Sequence, residues 1–427
     1  IDDSASLKEL MDPSSPKYNE SIDFRREIDK PMYDEVVDMA IHLENRISET
    51  GVHPCGVIIS SQPLAGIIPT QVRQKDGKLI TQWEYPELEA LGLIKMDFLG
   101  LDLINTIQQT LENIRLTNES AQDESLKREI PNMREIIMGE MDDPETYKNL
   151  QEGNTIGIFQ LGSPGVRELL RQAKPQSLME IANITALYRP GPMKSGAHIQ
   201  YANRKNGIEE ISYIHEDFIG TEVQEILEET FGLLIFQEQI MLIAGRYAGM
   251  TPYETDRLRS AIGKKKMDVM MEMKPKFIEG CLARGASKEA VDALWETIEV
   301  FGQYGFNKSH SVSYAINIYQ AIYLKTHYPR EFMAAVIQQA FGNPERLREY
   351  IQEAVRMGLR IGPVDINNSQ VQMASAGIDP TNAYDIVFGF SGIKNLNINL
   401  AKAIVKERNK NGNYKSVADF VTRILKS

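Results

Sequence analysis

The stretch LGLIKMDFLGL, residues 91–101, decides how the chain is classed. Side chains alternate faces along a strand, so Ile94, Met96 and Phe98 share one face while Lys95 and Asp97 share the other. That pattern predicts a strand with an apolar face for a core and a carboxylate beside an ammonium on the open face. Burying Asp97 alone would be costly, so it should pair with Lys95, hold a metal, or reach solvent. A half-exposed strand with a surface ion pair explains the stretch equally well.

Around this strand the sequence is mainly helical. GVIIS (56–60) is a second strand candidate and LINTIQQTLENI (103–114) a helix. Before them, MDPSSPKYNES (11–21) reads as a loop and DEVVDMAIHLENRI (34–47) has helical apolar spacing. From about 130 to 345 helices dominate. One start is clear: TPYE (251–254) offers Thr251 as N-cap, Pro252 at the first helical position and Glu254 at the third. The segment 388–412 reads as a turn joining two helices. The expected class is α+β, mostly helical.

Composition narrows the setting. The 427 residues should form more than one domain, with 42% hydrophobic and 25% charged residues. The longest apolar runs, such as GLLIF (232–236), are too short to span a bilayer, and no membrane partner is expected. Two widely separated cysteines, Cys55 and Cys281, suggest neither a disulfide framework nor a zinc knuckle, which favours a reducing, cytoplasmic location. A net charge of −12 does not announce a nucleic-acid binder, although a local basic groove can bind phosphates on an acidic body.

Three further stretches carry groups suited to phosphates. In TDRLRSAIGKKK (255–266), Leu258, Ala261 and Ile262 form a packing stripe, while Arg257, Arg259, Lys264, Lys265 and Lys266 make the densest basic cluster. It reads equally as a solvated helix C-terminus. In TIGIFQLGSPGVRELL (155–170), Gly162, Ser163 and Gly165 form a tight turn before a helix, where backbone N–H groups can face an anion. LYRPGPMKSG (187–196) adds Arg189 and Lys194 on a proline-stiffened loop. In YGFNKSHSVSYA (304–315), Asn307, Lys308, Ser309, His310 and Ser311 sit at the start of a helix whose buried stripe is Ala315, Ile318, Tyr319, Ile322 and Tyr323. Ser309 or Ser311 can cap it, Lys308 and His310 can meet phosphate or sugar hydroxyls, and Tyr304 and Phe306 can stack on a base. Capping and a structural histidine account for that stretch as well.

Taken together, GVHPCGVIIS, LGLIKMDFLGL, GIFQLGSPGVRELL, LYRPGP, LIFQEQIM, LRSAIGKKK, YGFNKSHSVSYA and HYPREFMAA resemble the bacterial DNA polymerase III alpha subunits, the C-family replicative polymerases, in order and spacing. MGLRIGPVDINNS and FGFSGIK continue the likeness. The resemblance implies a partial polymerase-beta-like palm, large α-helical fingers and the start of a helix-hairpin-helix region. On that map residues 1–50 end the thumb, 51–115 are the later part of the palm, 116–355 the fingers, and 356–427 begin the hairpin region.

The implied activity is nucleotidyl transfer from a dNTP to a primer 3′-OH in DNA replication, with two Mg²⁺ ions. Asp97 matches the third of the family's metal-binding aspartates and Lys95 the lysine two residues before it. Gln160, Ser163, Arg189, Arg259, Lys264, Lys265, Lys266, Tyr304, Asn307, Lys308, Ser309 and His310 match nucleotide-facing segments. Lys394, Asn395 and Asn397 fall on the DNA-binding hairpin. Primer-template DNA and dNTPs are the implied partners, with a sliding clamp and other replisome subunits as further candidates.

The likeness also has gaps. The family's Asp-x-Asp pair is absent; Asp142 and Asp143 are adjacent and lie in a loop context. The chain opens on Ile1, and the expectation is a central-to-C-terminal portion, or a split subunit inactive alone that joins an N-terminal portion carrying that pair. Cys55 replaces a smaller residue, Gly162 a common glutamate, Ser260 a common arginine, and the hairpin KNLN (394–397) lacks the usual glycines. The alternative is a non-catalytic DNA- or nucleotide-binding protein, or a structural replication protein, derived from such a polymerase.

Overall fold

Short strands lie between Gly, Pro and polar turns, and most of the described chain is helical. The computed structural model describes all residues except 1–5, 45, 47–50, 75, 99, 121–123, 125–126, 264–266, 303–304, 376–382 and 427. It separates into two units, Ile1–Gly100 and Leu101–Ser427.

The first unit contains helices α1 (Leu7–Met11), α2 (Ile22–Ile28), α3 (Asp34–Leu43) and α4 (Tyr85–Ala90). Its strands are β1 (Gly56–Ile59), β2 (Thr70–Val72), β3 (Leu79–Thr81) and β4 (Ile94–Asp97). The expected loop at 11–21 instead closes into a 3₁₀ helix over Pro16–Ser21, with Ser15 as its cap. Strands β2 and β3 pair antiparallel, as do β1 and β4, with Gly56 opposite Asp97 and Ile58 opposite Lys95.

The strand reading of 94–97 holds, but its inside and outside are reversed. The small core is Ile68, Leu88 and Leu93 with Ile58 and Leu64, on the Ile58–Lys95 side of the pair. Ile94, Met96 and Phe98, expected in a core, are exposed, and so are Val57 and Ile59 of β1. The reason is the position of Leu88: α4 packs on the Lys95 face, and the Lys95 side chain is only 18% exposed. Its stem supplies apolar cover while its ammonium stays near Asp97 and the Tyr85 ring.

The second unit is helical. Helices α5 (Asp102–Ser120), α6 (Met133–Met138), α7 (Pro144–Gln151), α8 (Pro164–Ala173) and α9 (Leu178–Leu187) lead to α10 (Pro190–Lys194) and α11 (Ala197–Lys205). Next come α12 (Glu222–Glu228), α13 (Gln237–Leu242), α14 (Pro252–Gly263), α15 (Met267–Ala283) and α16 (Lys288–Phe301). The long α17 (Lys308–His327) is followed by α18 (Pro329–Gln339) and α19 (Pro344–Arg356). Strands β5 (Ile361–Gly362), β6 (Ala374–Ser375) and β7 (Ile386–Val387) form a sheet with β7 central, before α20 (Ile398–Asn411) and α21 (Val417–Lys426).

Helix α17 is the axis of the larger core, buried against α9, α7, α5 and α18. Helix α5, assigned above to the palm portion, packs here on α17 and α18. Of the predicted stripe on α17, Ala315, Ile318, Tyr319 and Ile322 are buried and Tyr323 is half-buried. A second core joins α12 to α16 around Phe277 and Trp295, whose ring centroids lie 5.2 Å apart. Fully burying one such aromatic contributes about 1.5–3 kcal/mol. Leu258, Ala261 and Ile262 are buried there as expected, and Thr251 and Glu254 form the predicted reciprocal cap on α14.

A third cluster, Phe390, Ala401, Ile404, Val405 and Tyr414, organises the C-terminal segment. The expected first helix of its hairpin is a single 3₁₀ turn, Phe390–Gly392, with the Phe390 and Ser391 N–H groups donating to the Gln370 and Val371 carbonyls (3.0 and 2.9 Å) rather than within a helix.

Candidate functional site

Three segments distant in sequence converge on one cavity of about 310 Å³ in the second unit. The first is the turn before α8. Gln160 adopts a left-handed backbone (φ 62°), and Ser163 occupies the N-cap position of α8 without capping it through its side chain. Gly165 follows Pro164 in the first turn, and a Cβ there would overlap the Tyr188 hydroxyl. The second segment is the end of α9 and the loop to α10, which supplies Thr185, Tyr188 and Arg189. Arg189 Nε donates to the Ala186 carbonyl (2.9 Å), and its guanidinium carbon lies 3.9 Å from the Phe306 ring centroid. Burial pushes the Arg189 guanidinium below its ordinary value.

The third segment is 306–314. A parallel bridge between Phe236 and Phe306, with Gln237 N–H donating to the Phe306 carbonyl (2.8 Å), fixes its entry to α17. Asn307, rather than Ser309 or Ser311, caps the helix: its Oδ1 accepts from His310 N–H (2.8 Å) and Ser309 Oγ (2.7 Å). Ser311 is buried and donates to the Ala182 carbonyl (2.6 Å). His310 and Tyr314, one turn apart on the cavity side, have ring centroids 4.5 Å apart, and Tyr314 stacks on Phe159 at 5.9 Å. The cavity therefore combines an aromatic wall with a guanidinium, an amide and an imidazole. This set suits a planar heteroaromatic group carrying negative charge.

Of the residues expected to face a nucleotide, Gln160, Arg189 and His310 line this cavity, with Ser163 at the neighbouring helix start. Others are engaged elsewhere. Glu238 occupies the N-terminal end of α17, accepting from Asn307 Nδ2 (2.9 Å) and Lys308 N–H (2.8 Å). Lys308 Nζ pairs with Glu229 (2.6 Å). Arg259 pairs with Asp256 (2.8 Å) and Arg257 with Glu272 (2.7 Å). Lys264, Lys265, Lys266 and Tyr304 lie outside the described residues. The residues unread from the sequence are Thr185, Tyr188 and Tyr314; the four-residue spacing of His310 and Tyr314 was the available signal.

The first unit holds a different arrangement. Lys95 Nζ lies 3.3 Å from Asp97 Oδ1, and His53 Nδ1 lies 3.7 Å from the same oxygen. Cys55 Sγ is 3.6 Å from His53 Nδ1, which also accepts from Gly56 N–H (2.8 Å). Among the described residues, His53, Cys55 and Asp97 are the one group of three such side chains close enough to share an ion. Mg²⁺ takes oxygen ligands, commonly one or two carboxylates plus substrate phosphates. Asp97 fits that role as a single carboxylate, whereas the nitrogen and sulfur beside it do not.

In the C-terminal segment, Asn395 takes the left-handed conformation (φ 65°) that the missing glycine would otherwise supply. Asn397 caps α20 by accepting from Asn399 N–H (2.8 Å), and Lys394 is exposed at the same turn.

Comparison with known proteins assigns the same three regions. The family model for the bacterial DNA polymerase III alpha NTPase domain matches residues 4–100. That for the alpha subunit finger domain matches 104–285, and a helix-hairpin-helix motif matches 358–427. The boundary between the first two coincides with the boundary between the structural units. Curated relatives named DNA polymerase III subunit alpha include one from Saccharopolyspora erythraea, 39% identical over 98% of this chain and 33% of its own length. One from Mycobacterium tuberculosis is 37% identical over 98% of this chain and 34% of its length, and one from Aquifex aeolicus 40% identical over 92% and 32%. The chain thus spans about a third of the length of the curated relatives it matches. With domain order, helical fold and near-complete alignment in agreement, this chain belongs to the bacterial DNA polymerase III alpha-subunit family.

Proposed function

We propose that this chain forms part of a DNA-directed DNA polymerase, supplying the nucleotide-receiving fingers and one metal-binding carboxylate. The observation that carries this reading is the convergence of Gln160, Arg189 and His310 on one aromatic-walled cavity. In this reading the aromatic wall of Tyr314, His310 and Phe306 receives the base or sugar of a dNTP. Arg189 meets the triphosphate, and its seat on Phe306 limits the freedom it must lose on binding. Exposed Lys394 and the Asn395–Asn397 turn contact the DNA backbone, the Lys394 ammonium and the Asn395 amide facing phosphate.

Residues 1–50 are assigned to the end of the thumb, 51–115 to the later palm, 116–355 to the fingers and 356–427 to the hairpin region. Asp97 would hold Mg²⁺, which when bound supplies Lewis-acid stabilisation of the transferring phosphoryl group. Lys95, whose ammonium lies 3.3 Å from Asp97 Oδ1, holds the carboxylate in place. The Asp-x-Asp pair is assigned to a segment outside these residues. The exposed apolar face of Val57, Ile59, Ile94, Met96 and Phe98 supports the need for a further layer on the β1–β4 sheet.

Primer extension tests the reading. The chain alone should not extend a primer in Mg²⁺ but should do so when an alpha-subunit portion carrying the Asp-x-Asp pair is added. Asp97→Asn should then reduce extension by at least about 10³-fold, as loss of a group acting on the transition state does, with DNA binding retained. Normal extension by the Asn variant would remove Asp97 from the reaction. Binding of dNTP and DNA without extension in the reconstituted assembly would favour a non-catalytic binding protein.

A further inference from the structure

The geometry points to a binding site for a borderline-soft divalent cation, of the Zn²⁺ class, formed by His53, Cys55 and Asp97. The ligand atoms of the three lie within 4.8 Å of one another. Four-coordinate zinc, with bonds of about 2.0–2.3 Å, sets neighbouring donors ~3.4–3.6 Å apart. Cys55 Sγ and Asp97 Oδ1 already stand 3.6 Å and 3.7 Å from His53 Nδ1, so little movement is needed to close on an ion.

Three independent features favour this site over a chance cluster. First, Gly56 faces Asp97 across the strand pair, and a Cβ on it would fall 2.9 Å from His53 Nδ1 and 3.1 Å from Asp97 Oδ1. The absent side chain lets the donors approach and leaves the space to the flexible Lys95 side chain, whose Cε would lie 2.7 Å from such a Cβ. Second, Gly56 N–H donates to His53 Nδ1, which places the ring proton on Nε2, the tautomer a metal on Nδ1 requires; an ion takes that lone pair by displacing the Gly56 N–H. Third, Pro54 restricts the backbone between His53 and Cys55, so their relative placement is set before an ion arrives.

Lys95 is the competing cation. Its ammonium faces the same Asp97 oxygen at 3.3 Å and must withdraw when an ion binds. The Tyr85 ring, with its centroid 5.2 Å from Lys95 Nζ, offers it an alternative seat. On binding, the Cys55 thiol releases its proton to solvent and the sulfur joins the ion as thiolate. Three protein ligands leave the fourth position open to water or a phosphate oxygen. Thiolate and imidazole select zinc-like ions over Mg²⁺, which prefers oxygen alone.

The site stands on its own geometry; its consequence rests on the reading of Asp97 proposed above. An ion held by Cys55 and His53 occupies the Asp97 oxygen and withdraws it from nucleotidyl transfer. Zinc-class cations should therefore inhibit extension through these residues.

The probe is Co²⁺, titrated into the reduced 427-residue chain. One equivalent should bind with the visible spectrum of tetrahedral cobalt and a thiolate-to-cobalt charge-transfer band, and Zn²⁺ should displace it. Cys55→Ala should abolish the charge-transfer band, while Cys281→Ser, which alters only a fully buried thiol, should leave it intact. His53→Gln and Asp97→Asn should each weaken binding by more than the roughly 10- to 100-fold that changes outside the ligand shell cost. His53, Cys55 and Asp97 are partly exposed, and circular dichroism verifies that each variant, Cys281→Ser included, is folded. Absence of stoichiometric binding, or an unchanged band in Cys55→Ala, overturns the site. In the reconstituted polymerase each protein is compared with itself, with and without equimolar Zn²⁺. The wild type should slow and Cys55→Ala should not; equal slowing in both overturns the inhibitory role. Failure to reconstitute extension would count against the polymerase reading, while the cobalt spectrum would still decide the site.

Discussion

The Arg189 guanidinium sits over the Phe306 ring, 3.9 Å from its centroid, and so joins the α9–α10 loop to the start of α17. Lysine carries the charge but not the planar fork that rests on a ring. Arg189→Lys should weaken dNTP binding by roughly tenfold, within the range of a partly desolvated cation–π contact. Titration of a fluorescent dNTP against the variant checks this, and unchanged affinity would remove Arg189 from the cavity's function.

Gly165 is needed for space rather than for backbone freedom. A methyl group there would overlap the Tyr188 hydroxyl, which lines the same cavity. Gly165→Ala should push the Tyr188 ring into the cavity and lower dNTP affinity, at a stability cost of about 1–3 kcal/mol. The double variant Gly165→Ala with Tyr188→Phe removes the overlapping oxygen and should recover part of both losses.

Asn307 works twice, capping α17 through Oδ1 and holding Glu238 through Nδ2. Asn307→Ala should destabilise the second unit by about 1–2 kcal/mol, as cap removal does. Asn307→Asp keeps the cap oxygen but places a second carboxylate against Glu238. It should retain less stability than the wild type despite an equally good intrinsic cap, an ordering that urea denaturation can read.

Glu353 makes the second unit acid-sensitive. Burial pushes its carboxyl up, but the Arg356 hydrogen bonds (2.7 and 2.9 Å) and the Lys325 ion pair (2.6 Å) outweigh it and hold it at about 2. A carboxylate lowered on folding stabilises the native state above its unfolded value of 4.5, and that contribution is lost as pH falls toward 2. The shift corresponds to about 3 kcal/mol. Unfolding free energy measured between pH 6 and 3 should fall less steeply in Glu353→Gln than in the wild type. The variant should also be less stable at pH 6.

Several local signals in the sequence were read correctly, although Asn307 took the cap expected of Ser309 or Ser311 and 3₁₀ turns formed at Pro16–Ser21 and Phe390–Gly392. The Thr251–Glu254 cap, the Leu258–Ala261–Ile262 stripe and most of the α17 stripe involve residues within one or two turns of each other. Even the strand at Lys95 and Asp97 was legible from alternation alone.

Choices among distant partners were not legible. Alternation told that Ile94, Met96 and Phe98 share a face, but only the position of Leu88 in α4 decided that the Lys95 face is the covered one. The dipole of α17 called for an anion at its start, and the fold met that need with Glu238 from α13, leaving His310 and Tyr314 to face the cavity. Likewise an H-x-C spacing carries little by itself; strand pairing set Gly56 across from Asp97 and brought the three donors together. Caps, stripes and turns are settled within a few residues, where chain geometry leaves few alternatives. Which polar groups are satisfied by the protein, and which stay available to a ligand, depends on packing between segments far apart in the chain, and only the tertiary structure decides it.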